Sequence, residues 1–431
     1  MLKRKIYDQL LSWKNNPDKM CLLVHGARQV GKTTIVEKFA RENYENYVYI
    51  NFDENPSHQQ MFEEDFDVDV LIKQITLRIP GAKLIPGKSL LFLDEIQSCP
   101  RARTALKFFS IAKKFDVIAS GSMLGLGYKD VPSYPVGYED HLDMYSMDFE
   151  EFLWSNGVSE ESISVIREYY LERRPLPEAM HQKMMEHFKE YIVVGGMPRV
   201  VSEFVNTKNY GNVLSLQRGI VRGYHDDIAK YAEGAEKVKA KACFLSIPKQ
   251  LSKDYKKFQY SVVEKKGTSR KFGGSLVWLH DAGIINYCYN LAAPELPLEG
   301  NARFDAFKVY MRDTGLLMSM LEDGSQKDII DGNLGIYKGA IYENIIADIF
   351  AKAGKKLYYF ERKGNIEIDF FIRMDGKATA VEVKSADNTK AKSMKTIIQD
   401  YGVEQGILLS SRNVEHGQRI LRLPIYMAMF L

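Results

Sequence analysis

The residues best suited to chemistry stand together at Gly26-Ala27-Arg28-Gln29-Val30-Gly31-Lys32-Thr33, followed by Thr34. In a GxxxxGK[ST] run the glycines let backbone N–H groups converge on phosphate oxygens, the lysine reaches the β- and γ-phosphates, and the hydroxyl reaches Mg²⁺. Lys32 and Thr33 occupy those two positions, so Mg-ATP is the ligand this stretch asks for. A second set is the adjacent pair Asp94 and Glu95. The first carboxylate can hold Mg²⁺ through water while the second polarises an attacking water; an acidic pair also occurs as a merely solvated strand end. Ser120 or Ser122 could bond the γ-phosphate or that water, and either could equally cap a turn. A third set, Asp369, Glu382 and Lys384, offers two acids from neighbouring strands and a lysine. Such groups can bind a divalent ion and orient water against a phosphodiester, although Glu-x-Lys also occurs freely in edge strands, where charge blocks aggregation.

The elements around these residues suit the chemistry. Cys21 to Val24 reads as a short buried strand and Thr34 to Arg41 as a helix, so the loop sits between a strand and a helix start, where anions bind. Tyr47 to Phe52 reads as a second strand, and an acidic, helical-looking segment runs to Ile79. Leu90 to Leu93 predicts a strand buried on both faces, with Asp94 and Glu95 at its C-terminal end, where ligands gather in open α/β sheets. Arg101 to Lys114 reads as a helix and Phe115 to Ala119 as the next strand. Before the loop, Ile6, Leu10, Leu11 and Trp13 share one helix face.

Length and composition set bounds. A chain of 431 residues is too long for one growing core, so two to four domains are expected. The net charge is only +3, so any nucleic-acid surface must be local. Cys21, Cys99, Cys243 and Cys288 lie far apart in apolar surroundings, which favours reduced thiols in a cytoplasmic protein over disulfides. The first residues lack the apolar span and cleavage site of a signal peptide, and no uncharged stretch is long enough to cross a bilayer.

Helical periodicity begins at Ser159. Tyr191 to Pro198 contains Gly195-Gly196-Met197-Pro198, a tight turn with close backbone approach, and helices follow from Asn209 to Tyr231. Along them Arg218, Arg222, Asp226 and Asp227 fall at helical offsets, readable as a self-paired face or as a lid over nucleotide. Three helices are then expected, beginning near Ala242, spanning Lys253 to Val263, and spanning Arg270 to Asp281, before the alternating strand Ile284 to Tyr289. Basic residues cluster at Lys249, Lys253, Lys256, Lys257, Lys265, Lys266, Arg270 and Lys271. This Lys249–Lys271 patch is a candidate for duplex DNA, with Ser269, Arg270 and Lys271 at a helix start that could enter a major groove; it is equally a solvated surface or a protein-binding face. Asp313 and Thr314 are expected to cap the helix of Leu316 and Leu317. The last part predicts a helix from Gly335 to Ala353, then strands at Leu357 to Phe360, Ile366 to Ile372 and Ala378 to Val383, with turns at 363–365 and at Asp375-Gly376.

Gly26 to Thr33, Leu90 to Gln97 (LLFLDEIQ), Val117 to Ser122 (VIASGS) and Met147 to Trp154 (MDFEEFLW) resemble the bacterial and archaeal AAA-type P-loop ATPases that carry a C-terminal region of unassigned function. The resemblance implies that Asp94 and Glu95 are the Walker B pair and Ser120 the polar sensor. Relatives carry Gly-Arg just before the strand leading to the FxEFL-like segment, but this chain has Val136-Gly137-Tyr138-Glu139. Arg101, Arg103 or a later residue would have to substitute, or hydrolysis is slow and nucleotide acts as a switch. The middle is similar to a winged helix, and residues 335–411 resemble the restriction-endonuclease-like fold. That second likeness pairs Asp369 with Glu382 and Lys384 and adds Glu343 as the helix acid among the metal ligands.

The expected class is α/β, arranged in four pieces: an AAA-type P-loop core over 1–155, a helical lid-like domain over 156–235, a winged-helix-like domain and linker over 236–325, and a restriction-endonuclease-like α/β domain over 326–431. The expected function is an ATPase coupling Mg-ATP to a nucleic-acid task. Its alternative is a nucleotide-dependent switch that binds a protein partner, with the nuclease-like piece as scaffold. Rings, dimers and a monomer all stay open.

Overall fold

The computed structural model describes residues 2–122, 135–231, 234–252, 257–332, 338–362, 366–384, 391–415, 417 and 419–431. Lys253 and Lys256 of the basic patch, the start of the helix expected from Gly335 and the turn at 363–365 lie outside these residues. The chain divides into two compact units. One is Arg4–Ser146 with Asp281–Gly283; the other is Met147–His280 and Ile284–Leu431 with the residues through Lys3.

The first unit is built on a parallel sheet of five strands: β1 (Cys21–Gly26), β2 (Asn46–Asn51), β3 (Ser89–Asp94), β4 (Asp116–Ser122) and β5 (Glu139–Asp143). Their order is β2-β3-β4-β1-β5. Helices α1 (Ile6–Asn15), α2 (Lys32–Asn43), α3 (Val68–Arg78) and α4 (Pro100–Ala112) complete it. The continuous apolar runs of β1 and β3 follow from burial on both faces, and Leu23, Ile50, Leu91, Leu93 and Ala119 pack in one core with Leu71, Ile75 and Leu106. The acidic segment before Ile79 is a short 3₁₀ helix at Pro56–Phe62 followed by α3, whose start is capped by the Asp67 carboxylate accepting from the Asp69 and Val70 N–H groups. Because β4 lies between β3 and β1, the C-terminal ends of all three open at one edge, and the register sets Gly26 beside Ser122 and Leu93 beside Ala119.

The compact units divide at 146/147, nine residues before the boundary expected at 155/156. The Phe149–Ser155 helix starts with a capping box between Asp148 and Glu151, and its rings pack on second-unit residues: Phe149 on Phe188 and Tyr191, Phe152 on Tyr191 and Phe204. Burial of those rings decides to which unit the segment belongs.

In the second unit, helices from Phe149 to Asp281 precede a mixed sheet of seven strands: β6 (Ile285–Leu291), β7 (Ala302–Met311), β8 (Leu357–Arg362), β9 (Ile366–Met374), β10 (Lys377–Val383), β11 (Gly406–Ser410) and β12 (Ile420–Pro424). The order is β12-β11-β10-β9-β8-β6-β7. One sheet runs through the expected pieces 236–325 and 326–431. Strand β6 pairs in parallel with β8, Cys288 beside Leu357 and Asn290 beside Tyr359, so the hairpin β6–β7 belongs to the sheet of the last piece. Unpaired, the β8 edge would leave a row of backbone N–H and C=O groups without partners. Of the helix expected over Lys253–Val263, residues 253–256 lie outside those described and the rest holds the single turn Tyr260–Val263, while the helix before it begins at Gly234. Two contacts hold Phe258 and Gln259 out of a helix: the Phe258 N–H donates to the Phe307 carbonyl at 2.8 Å, and the Gln250 amide brackets the backbone of Gln259 at 2.9 and 3.0 Å.

Asp313 caps the Thr314–Ser319 helix as expected, accepting from Leu316 N–H at 3.1 Å. Its other oxygen accepts from Gly196 N–H at 2.8 Å, and the Gly196 carbonyl accepts from Met147 N–H at 2.7 Å. The two-glycine turn is therefore close-packed against two other chain segments. A Cβ on Gly196 would lie 2.0 Å from the Met147 carbonyl oxygen, whereas one on Gly219, inside the Tyr210–Tyr231 helix, would meet nothing within 4 Å. Gly196→Ala is expected to destabilise the second unit by about 3 kcal/mol and Gly219→Ala to stabilise it by roughly 0.5–1 kcal/mol, read as opposite shifts of the urea midpoint.

Candidate functional site

The loop between β1 and α2 carries two residues with left-handed backbone, Gln29 at φ 64° and Gly31 at φ 95°, the latter capping α2. Gly31 is thus needed for its conformation. Gly26 is needed for another reason, because a Cβ there would sit 2.1 Å from the Met144 carbonyl oxygen. Buried Arg4 anchors the loop, donating to the Val30 carbonyl at 3.0 Å and to the Tyr145 carbonyl at 2.7 Å. Nothing in the first few residues of the sequence signals this role. Ala27 and Val30 are buried, Arg28 is half-buried, and Gln29 and Thr34 are exposed.

Lys32 is buried, and its ammonium donates to the carbonyls of Gly26 at 3.0 Å and Ala27 at 2.9 Å. Burial lowers its pKa; Glu95 and Asp94 act against that, and the neighbouring Arg28 charge adds to it. Its partners among the described residues are neutral carbonyls, so an anion entering the loop would meet a cation with no tight ion pair among those residues.

Asp94 is 1% exposed at the end of β3 and collects four donors. Thr33 Oγ1 donates to Oδ2 at 2.7 Å and the Tyr49 hydroxyl to the same oxygen at 3.1 Å; Ser120 Oγ and, at 3.1 Å, the Glu95 N–H donate to Oδ1. The sequence pairing of Thr33 with Asp94 is thereby realised in space. Ser120 is the serine that bonds the carboxylate, while the Ser122 hydroxyl is buried without a hydrogen-bond partner among the described residues. Glu95 stands in left-handed backbone at φ 52°, and the Gln97 amide N–H donates to its carboxylate. Tyr49 and Gln97 are site residues that sequence reasoning missed; the alternation of β2 and the DEIQ run are the signals that were available for them. These hydroxyls and carboxylates fit a nucleotide-bound Mg²⁺, with Thr33 and Asp94 as its protein-side groups.

Both arginines named as substitute triggers have partners within the first unit. Arg101 donates to the Phe62 carbonyl at 2.5 Å and the Glu64 carbonyl at 3.2 Å, and Arg103 pairs with buried Glu139 at 3.1 Å. Arg28, in the loop itself, is the arginine whose charge reaches Lys32.

The acids of the second unit are arranged differently from the expected ion site. Lys384 lies 2.5 Å from Glu382 Oε1, and Asp369 accepts from Val383 N–H at 2.8 Å. Burial raises the Glu382 pKa against the pull of Lys384, and its Oε2 is buried without a hydrogen-bond partner among the described residues. Glu343, though, is bonded by the Tyr310 hydroxyl at 3.1 Å and lies 3.8 Å from the Lys308 ammonium. Among the described residues no group of three His, Cys, Asp or Glu side chains is arranged to hold a metal ion. Glu343, Asp369 and Glu382 as placed do not fit a shared divalent ion, because the first is already taken up by a lysine and a tyrosine.

In the basic patch, Lys249, Lys257, Lys265, Lys266 and Arg270 are exposed, and Lys271 pairs with Glu264 at 2.7 Å. The helix there starts at Ser269, which puts Arg270 and Lys271 in its first turn. The four cysteines are buried free thiols, and among the described residues no helix is long and apolar enough to cross a membrane.

Comparison with known proteins adds the following. Residues 18–153 match the family model described as AAA domain; residues 185–327 and 338–426 match two models described as domains of unknown function, DUF8612 and DUF4143. No curated protein matches the chain. Among solved structures, the chain is similar to the Walker-type ATPase of Pyrococcus abyssi, with 14% identity, a TM-score of 0.44, and coverage of 74% of this chain and 96% of that one. It is also similar to the Orc1 protein of Aeropyrum pernix in complex with DNA, at 14% identity, TM-score 0.31, and 74% and 91% coverage. The Holliday junction branch migration motor RuvB of Thermotoga maritima gives 15% identity, TM-score 0.30, and 66% and 89% coverage. Superpositions this partial say nothing of what the chain acts on. The loop geometry and the match over 18–153 together give an N-terminal AAA-type ATPase domain, fused to C-terminal domains of unknown function.

Proposed function

We propose that the chain binds Mg-ATP at Gly26–Thr34 and hydrolyses it, and that turnover serves a nucleic-acid task of the second unit on duplex DNA. The observation that carries the first half is the 2.7 Å bond from the Thr33 hydroxyl to buried Asp94, which joins phosphate loop and acidic strand end in one network. In this reading the backbone N–H groups from Gln29 to Thr33 receive the phosphates, and Lys32 exchanges its two carbonyl acceptors for phosphate oxygens. Bound Mg²⁺ supplies positive charge to the β- and γ-phosphates. Asp94, held by Tyr49 and Ser120, keeps Thr33 in place; Glu95 orients the attacking water and takes its proton once it leaves Gln97. Arg28 contributes the second positive charge beside Lys32 that the absent Gly-Arg pair would otherwise supply.

DNA as the target is supported by the exposed Lys249, Lys257, Lys265, Lys266 and Arg270 around a helix start, where the N-terminal partial charge favours a phosphate. A second reading, a nucleotide switch for a protein partner with the last module as scaffold, is favoured by the Lys271–Glu264 pair and by the lysine that takes up Glu343. ATP turnover with and without duplex DNA separates the two. On the first reading DNA raises turnover, and Arg270→Glu with Lys271→Glu abolishes the rise and flattens its salt dependence. On the second, DNA leaves turnover unchanged.

Calorimetry should show Mg-ATP uptake by the intact chain, lost in Lys32→Ala and retained in Glu95→Gln, which turns over at least about 100-fold more slowly. No uptake by the folded chain would end the proposal. Arg28→Met should lower turnover by about 100-fold. Arg103→Met should keep turnover within about twofold of the parent while costing roughly 3 kcal/mol of stability, because the Glu139 carboxylate loses its buried guanidinium and keeps, among the described residues, only the exposed His141.

A further inference from the structure

Lys308 belongs to β7, beside Cys288 of β6. Its side chain is 1% exposed, a position a lysine takes only when its charge is met. The ammonium lies 2.7 Å from Glu367 Oε1 and 3.8 Å from Glu343 Oε2, and 4.7 Å above the centre of the Tyr359 ring. Burial pulls its pKa down, but Glu343, Glu367 and Asp369 more than offset that and hold it above the usual lysine range. Tyr310 donates to the far side of the same network through Glu343 Oε2. Two acids, Glu343 from one helix and Glu367 from one strand, thus flank a single cation that is covalently part of the chain, and the Asp369 charge two residues along the same strand acts in the same direction.

We infer that the Lys308 ammonium is the resident cation of the Glu343, Glu367 and Asp369 cluster, standing where a divalent ion would otherwise sit, so that this module holds no such ion and cuts no phosphodiester. A hard divalent ion needs carboxylate oxygens at about 2.0–2.6 Å on several sides. An ammonium 2.7 Å from one of those oxygens fills the space and repels a second cation. The neighbouring pair repeats the arrangement: Lys384 takes one oxygen of Glu382 and leaves a single buried oxygen, too few donors for an ion. What remains is a lysine-bridged sheet in which Glu343 of the Lys338–Lys352 helix and Glu367 of β9 are joined through β7. This inference is independent of the ATP site and stands or falls apart from it.

The test uses the intact, nucleotide-free chain and Mn²⁺ itself as probe, followed by electron paramagnetic resonance. The parent should show no Mn²⁺ uptake that depends on Glu343 or Asp369, and supercoiled plasmid incubated with Mn²⁺ should be nicked no faster than by the Asp369→Asn chain. Lys308→Met should lower the melting temperature of the second unit by roughly 5–10 °C, because three acids lose their counter-charge. Adding Mn²⁺, or combining the change with Glu343→Gln, should restore about half of that loss or more. The inference is overturned if the parent takes up Mn²⁺ and Glu343→Gln or Asp369→Asn abolishes it, or if nicking is present in the parent and absent in Asp369→Asn. It is equally overturned if Lys308→Met/Glu343→Gln melts no higher than Lys308→Met. Should the lysine variants fail to fold, the Mn²⁺ titrations of the parent, Glu343→Gln and Asp369→Asn chains decide the question by themselves.

Discussion

The first unit depends on a buried carboxylate that has no water to turn to. Taking the Asp94 anion out of solvent costs several kcal/mol unless hydrogen bonds replace its hydration. The replacements come from Thr33 at the start of α2, Tyr49 of β2, Ser120 of β4 and the Glu95 N–H. Four elements are therefore tied to one side chain. The parallel order that sets β2 and β4 on either side of β3 is the arrangement that lets a neighbour on each side reach it. Lys32 adds the complementary condition: a buried cation kept on loop carbonyls, with an acid pair close by in charge. The loop is thus held ready for an anion by groups that already need one another.

The second unit meets the same constraint with internal partners. Asn344 returns the Met311 backbone both a donor and an acceptor, at 3.2 and 2.8 Å, and bonds Thr314 Oγ1 at 2.9 Å. The Met147 carbonyl is shared by the Tyr191 hydroxyl and the Lys352 ammonium, which also pairs with Asp348 at 2.9 Å. Replacing such buried polar groups by apolar ones can be neutral for stability, but leaving one partner alone is costly, so they act as registration marks for how helices and strands meet. Asp313, bridging the Gly196 turn and the Thr314–Ser319 helix, belongs to this set, and so does Lys308.

What was legible along the chain was whatever physics acts over short range. A strand buried on both faces must be apolar throughout, so Leu22 to Val24 and Leu90 to Leu93 announce themselves; a phosphate loop is built within eight residues, so Gly26 to Thr33 does too. Asp94 could be assigned because it ends such a strand. Tyr49 could not, since it looks like any aromatic of an alternating strand and its partner is 45 residues away. Arg4 is similar, a basic residue near the start of the chain that proves to anchor Val30 and Tyr145. That β6 joins the sheet of the last strands was not legible because strand pairing is a long-range choice: nothing local to β6 tells it to join β8 across residues 292–356.

By itself, then, the sequence determined an α/β first unit, the GxxxxGK[ST] loop with the acidic pair that ends a buried strand, and the strands, turns and caps whose causes lie within a few residues. Only the tertiary structure decided that Gly26 is glycine for the sake of Met144, that Arg101 and Arg103 are engaged away from the loop, that the hairpin β6–β7 completes the second sheet, and that Glu343 faces a lysine. The physical reason is the same in each case. A side chain's type says what charge or hydrogen bond it must satisfy once buried, but which partner satisfies it depends on segments that meet only when the chain has folded.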